Sequence, residues 1–216
     1  MKKVAINIIN AHKIYAKTKL EDLDEKRLVP SMMVRRRLTR NSKVMLYLSD
    51  RCNFSGTKIV YGTCYSELQE AAKMADAVIN NGLLSPTSFQ NSVYNTAPSY
   101  YSLINKNKDE VITVSSGMKT SLDTLKTAAL QALVSKEQIL CVAVECINIP
   151  NIEEVNRCTS YLEAGVAVTL EIADDMIGAK EIEDSYRVDG IIDSLQDLMS
   201  VVGMYENSIK KIVVEL

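Results

Sequence analysis

Histidine is almost missing from this chain: His12 stands alone among 216 residues. The five cysteines, Cys52, Cys64, Cys141, Cys146 and Cys158, are scattered and never form a Cys-x-x-Cys pair. Structural zinc sites take four Cys or His ligands at short spacings, so these residues offer no zinc constellation, and no cofactor is expected. Unpaired thiols, odd in number, suit a reducing compartment, and Cys141, set in an apolar run, is expected in the core. A basic excess is lacking too. The net charge of −2 favours no polyanionic partner and speaks against nucleic acid. No apolar run approaches the roughly 18 residues that span a bilayer. Val4–Ile9, behind Lys2-Lys3, is too short for the apolar part of a secretion signal and contains Asn7. A cytoplasmic protein without a membrane span is expected. No stretch rich in Pro, Gly or Ser divides the chain and no segment repeats, so residues 1–216 read as one domain. That length buries roughly 70–75% of the surface of the unfolded chain.

What the chain does contain is a strand driven into a helix. Val111, Ile112 and Val114 make a short apolar run, Ser115-Ser116-Gly117 follow, and a long helix is predicted from near Met118. Many α/β enzymes hold a nucleophile at such a joint, where the helix dipole and free backbone N–H groups stabilise a thiolate or an oxyanion. A thioether has no proton to lose. The sequence has the form of a catalytic elbow without its reactive atom.

The remaining patterns place the elements around that joint. Val4–Tyr15 reads as a first strand, irregular around Asn10, and Pro30 opens a broken helical face of Met32, Met33, Leu38, Met45 and Leu48. Lys58–Cys64 reads as a buried strand. Ser66-Glu67-Leu68-Gln69 has the form of a capping box for a helix that carries Leu68, Ala71, Ala72, Ala75, Val78 and Ile79 and stops at a left-handed Gly82. Ser85-Pro86-Thr87 opens a further helix through Phe89, Val93 and Tyr101, which Pro98 is expected to interrupt. A narrow apolar stripe rich in small residues (Leu122, Leu125, Ala128, Ala129, Ala132 and Leu133) predicts a central, closely packed helix. Gln138–Ile147 is nearly all apolar and reads as a strand covered on both faces. Leu162–Ile172 alternates, which predicts an outer antiparallel strand. A last helix with Val188, Ile191, Ile192, Leu195, Leu198, Met199 and Val202 on one face is expected to end at Gly203, before a short strand over Lys210–Leu216. The fold class is α/β with a mixed sheet covered by helices.

Several of these segments resemble the short β-ketoacyl synthase-like (N-terminal domain) proteins of the thiolase superfamily. Leu28 to Arg40, with Arg35-Arg36-Arg37-Leu38-Thr39-Arg40, is similar to that family's Pro-x-x-x-Arg-Arg-Arg-Leu-Ser-Arg helix. Ser85-Pro-Thr-Ser-Phe-Gln-Asn-Ser-Val-Tyr-Asn95 is similar to its S-P-T-x-F-x-x-S-V-H-N, with Tyr94 where the family has histidine. Tyr61–Gln69, the small pair Ala128-Ala129 and the strand near Gly165 also match. Val114-Ser-Ser-Gly-Met118 falls where active ketosynthases carry Ser-Thr-Ala-Cys. The resemblance implies a half-thiolase fold, the N-terminal half of a ketosynthase. It also implies a chain-length-factor role beside a full-length ketosynthase, in pathways such as aryl polyene assembly on acyl carrier protein. Such proteins work as dimers, with themselves or with the ketosynthase, and pair the strand before the elbow across the dimer; Glu110–Ser115 is suited to this.

Condensation requires a covalent thioester on an ionisable sulfur, and two histidines assist it in the C-terminal half of active relatives. This chain has neither in place. Met118 reads as either a plug for the acyl path or a core filler. Ser115 and Ser116 read as helix caps rather than nucleophiles. Phe89, Asn91, Tyr94, Asn95 and Met118 are the candidates for an acyl pocket or interface. Arg35, Arg36, Arg37 and Arg40 are the candidates for docking a carrier protein or a partner's carboxylates, set against the plainer reading of a solvated face. The rival function is a diverged acyltransferase or thioester hydrolase using Cys64 or Ser116.

Overall fold

Val4, Ile6 and Ile8 alternate along the start of the first strand, β1, which runs from Lys3 to Ala16. It belongs to a six-stranded sheet in the computed structural model, which describes residues 2–149 and 157–216. After β1 come α1 (Glu25–Leu28), α2 (Met32–Arg35), α3 (Arg40–Arg51), β2 (Ile59–Gly62), α4 (Leu68–Ile79), α5 (Pro86–Asn91) and α6 (Thr96–Asn105). The chain then runs through β3 (Val111–Val114), α7 (Thr120–Ser135), β4 (Ile139–Cys146), β5 (Glu163–Ile172), α8 (Gln196–Glu206) and β6 (Lys211–Glu215). The spatial order is β3-β2-β4-β5-β1-β6. β2 is parallel to β3 and β4, whereas β5 is antiparallel to both β4 and β1, and β6 to β1. The register of β1 on β5 shifts between Ile8 and Asn10, which is the irregularity read near Asn10.

Two cores lie on opposite faces of this sheet. α7 and α8 cover one, where Leu125, Ala128, Ala129, Ala132, Leu198 and Met199 pack on Cys141, Val166 and Val168. α3 and α6 cover the other, where Val44, Met45, Leu48 and Tyr101 meet Tyr61, Leu140, Val142 and Ala167. Among the described residues no helix is long and apolar enough to cross a membrane.

Several local expectations change. β5 is antiparallel but interior: Gly165, Ala167 and Thr169, the face read as outward, lie under α3 or beside it and are buried. The run from Pro30 breaks into α2 and α3, because Thr39 takes extended backbone and its hydroxyl accepts the Ser42 N–H. No capping box forms at Ser66: that residue has a left-handed φ of 55°, Glu67 takes the cap position, and neither side chain caps α4. The left-handed residue after α4 is Asn81, not Gly82. Pro98 interrupts nothing. It sits in the first turn of α6, where its missing N–H is not needed, and the chain breaks earlier, between α5 and α6. The last helix begins only at Gln196, and Gly203 lies within it, where a Cβ would press on the Tyr186 ring.

Candidate functional site

The strand-to-helix joint is built from β3, Ser115-Ser116, a 3-10 turn over Gly117–Lys119 and the first turn of α7. Gly117 has φ +58°, a left-handed value that glycine adopts without strain. Thr120 ties the corner: its hydroxyl accepts the Ser116 N–H at 3.0 Å and donates to the Gly117 carbonyl at 2.7 Å. Below, α7 lies so close to β2 that a Cβ on Gly62 would strike the Thr124 side chain. Ser121 at the same helix end donates to the Asp197 carboxylate and accepts the Asp197 N–H, both at 3.2 Å, and so locks α7 to α8.

Met118 stands at this corner with 47% of its surface exposed. It is no core filler. With Tyr65, Cys158, Ser160, Gly190 and Ile192 it lines a half-open cavity of about 480 Å³. Ser115 and Ser116 are exposed, and the Ser116 side chain makes no cap bond. The capping role read for them belongs instead to the Thr120 hydroxyl, whose β-branched side chain the helix buries at its first position.

The alternative nucleophiles fare no better. Cys64 is half-buried, and burial, together with the nearby Glu145 carboxylate, pushes its thiol up from its ordinary value. Its N–H donates to Glu145 Oε1 at 2.6 Å and its carbonyl accepts from the Tyr94 hydroxyl at 3.3 Å. His12 lies on β1, four strand spacings or roughly 19 Å from β3. Its ring packs beside Tyr47 of α3, and burial, then Arg51, holds its basicity below the usual range. Cys52, Cys141 and Cys146 are buried, and Cys158 is exposed. Among the described residues no group of His, Cys, Asp and Glu is arranged to hold a metal ion.

Beneath the joint lies a carboxylate that sequence reading passed over. Glu145 interrupts the apolar run of β4 and is 1% exposed. It accepts the Cys64 and Tyr65 N–H groups and the Thr63 and Ser194 hydroxyls, at 2.6 to 3.2 Å. Burial pushes its carboxyl up to about 7 against the pull of those donors. One side chain thus fixes the β2–α4 loop and the segment before α8, the two walls that flank Met118. A single charged residue inside an otherwise apolar strand was the available signal.

This geometry belongs to a known family. The family model described as "Beta-ketoacyl synthase, N-terminal domain" matches residues 11–190. The chain is a member of that family. No curated protein matches its sequence. Among solved structures, it is similar to a chain of the ketosynthase ApeO in complex with its chain length factor ApeC from Xenorhabdus doucetiae. The TM-score is 0.69 and the identity 20%, over 93% of this chain and 92% of that one, so the two are nearly equal in length. A chain of the ishigamide ketosynthase/chain length factor aligns at TM-score 0.65 and 12% identity, over 79% of this chain and 63% of that one. A third, from the AntDE:AntF complex of a type II polyketide synthase acyl carrier protein with its ketosynthase, aligns at 0.63 and 11%, over 96% and 83%. At these identities the likeness is one of fold, and the mixed sheet covered by helices is the thiolase-like half fold.

The other candidate residues of this family member fall into separate places. Arg40 is committed within the fold: its guanidinium pairs with buried Glu163 at 2.9 Å through Nε and reaches the Leu20 carbonyl at 2.7 Å. Arg35 is folded back onto the Val29 and Pro30 carbonyls. Arg36 and Arg37 remain exposed. Asn91 is buried; its amide donates to the Arg37 carbonyl at 3.2 Å and its oxygen accepts from Tyr100 at 3.1 Å. Asn91 and Asn95 line a second cavity, apart from the one that Met118 lines, and Phe89 is 67% exposed.

Proposed function

We propose that this chain is a non-catalytic ketosynthase-like subunit of the chain-length-factor type. It pairs with a catalytic ketosynthase, or with itself, and acts in the cytoplasm on acyl chains carried by acyl carrier protein. The observation that carries this reading is Met118 at the strand-to-helix corner. A thioether offers no thiolate for the acyl-enzyme step, and burial, with the Glu145 carboxylate, raises the Cys64 thiol from its ordinary value. Support comes from the solved complexes whose chains share this fold, two of which pair a ketosynthase with a chain length factor and one of which holds a carrier protein. Exposed Arg36 and Arg37 suit an acidic partner surface. Co-expression with a candidate ketosynthase tests the reading: the chain is expected to co-purify with it and to change product length, and failure in both respects overturns it. The rival acyl-transfer reading through Cys64 or Ser116 is separated by incubation with acyl thioesters and intact-mass measurement, where only the rival gains an acyl adduct.

A further inference from the structure

All four groups that hold the Glu145 carboxylate are donors. Its Oε1 takes the Cys64 N–H at 2.6 Å and the Ser194 hydroxyl at 3.1 Å. Its Oε2 takes the Tyr65 N–H at 3.2 Å and the Thr63 hydroxyl at 3.1 Å. Each oxygen receives one backbone N–H and one hydroxyl, which fills the acceptor positions of an ionised carboxylate. A neutral carboxyl cannot keep this set. Its own O–H needs an acceptor, and a backbone N–H cannot become one. A hydroxyl can turn round to accept, but it then withdraws the bond it was giving. Either way one of the four inbound bonds is lost.

Two pulls oppose each other at this carboxyl. The four donors favour the anion. Burial favours the neutral acid, and no Lys, Arg or His side chain meets the carboxylate among the described residues. The titratable neighbours relieve neither pull. Tyr61 on β2, Cys64 and Tyr65 in the loop after it and Cys146 on β4 are weak acids that burial makes weaker still. Glu67 at the head of α4 acts on Tyr61 and Cys146, Arg40 is taken up by Glu163, Asp197 is held by Ser121, and Asp193 adjoins Ser194 in the chain.

The donors also border the Met118 cavity. Tyr65 lines one wall, and Ile192 and Asp193, just before Ser194, line the other. We infer that Glu145 is a proton-controlled latch on this cavity: its anion clamps the β2–α4 loop to the segment before α8, and its neutral form lets those two walls part. Ser194 and Tyr65 are the partners that give way, because their bonds are longer than that of Cys64 and the Ser194 hydroxyl makes no other bond among the described residues. With the carboxyl raised to about 7, the latch closes as pH rises through neutrality and opens as it falls. Burial favours the neutral form, so opening leaves the fold intact.

The test uses the chain by itself and does not depend on the subunit reading. Amide NMR is followed from roughly pH 5 to 9, with the Met118 ε-methyl as the reporter on the cavity. The Cys64 and Tyr65 amides and the Met118 methyl are expected to move together with one midpoint. Ser194→Ala removes one donor to the anion and should raise that midpoint by about one pH unit. Glu145→Gln should abolish the titration, whereas Glu67→Gln should leave it in place. Where Glu145→Gln does not fold, the wild-type curves and Ser194→Ala decide. Amides that do not titrate, a Met118 methyl that stays still while they do, an unchanged midpoint in Ser194→Ala, or loss of the titration in Glu67→Gln would each overturn the latch.

Discussion

Met45 and Met118 are the same side chain under opposite constraints. Met45 is fully buried on the sheet-facing side of α3, and Met118 is half exposed at the joint. Truncating Met45 to Ala leaves a cavity and should cost about 2–5 kcal/mol in urea unfolding. Met118→Ala should change stability by no more than about 0.5 kcal/mol and, in the co-expressed complex, shift product length instead. A large stability loss at Met118 would return it to a structural role. Glu67 gives a second test at this scale. Burial is the main reason its carboxyl is pushed up to about 8, against the hydrogen bond from the Thr39 hydroxyl at 2.8 Å. The folded state therefore holds this proton more tightly than the unfolded chain, whose value is near 4.5. Its stabilisation is complete below that lower value and is lost as pH rises through about 8. Glu145, raised to about 7, acts in the same direction. Melting temperature measured across roughly pH 5 to 9 should fall more steeply for the wild type than for Glu67→Gln; parallel curves would show that Glu67 is not the group responsible.

Elements are held in register by contacts that hydropathy patterns do not reveal. Arg40 anchors α3 to β5 through Glu163, which is 1% exposed. Arg40→Ala leaves that carboxylate buried and unpaired and should cost about 3–5 kcal/mol, whereas Arg36→Ala on the same charge run should cost no more than about 0.5 kcal/mol. Equal effects in denaturant titrations would refute the division. Gly62 plays the corresponding part for α7. Gly62→Ala should cost about 1–3 kcal/mol, and Thr124→Ala in the same chain should restore part of it, since Thr124 is the side chain a Cβ meets. These examples mark what the sequence allowed to be read. β4, the small-residue stripe of α7 and the strand–helix joint were legible, because each is a local pattern of apolar spacing. The commitment of Arg40 within the run Arg35, Arg36, Arg37 and Arg40 was not, because it depends on Glu163 more than a hundred residues away. Pro98 and Ser66 were misread for a related reason: their residue types permit both a start and a stop, and packing chooses.

On the scale of the whole molecule the sheet has two unlike edges. β6 is partly covered, as the Lys180 backbone bonds to Lys211 and Val213 along its outer side. β3 has only β2 as a neighbour. The Ile59 and Thr63 N–H groups bond to the carbonyls of Glu110 and Val114, so the alternating residues Val111 and Thr113 point their N–H and C=O groups outward. Ile79, Leu83, Leu84 and Phe89 on α4, α5 and the loop between them are also exposed. A bare strand edge calls for a partner, and under the proposed function that partner is a ketosynthase or a second copy. Light scattering should therefore give a dimer of 24.0 kDa chains, or a one-to-one complex with the ketosynthase. Thr113→Pro removes one outward N–H and spares the bonds to β2; it should dissociate the assembly while circular dichroism stays unchanged. A dimer mass unaffected by Thr113→Pro would move the interface off β3. A chain that stays monomeric at every concentration, alone and with the ketosynthase, would leave the exposed edge without its partner and end the case for a subunit role.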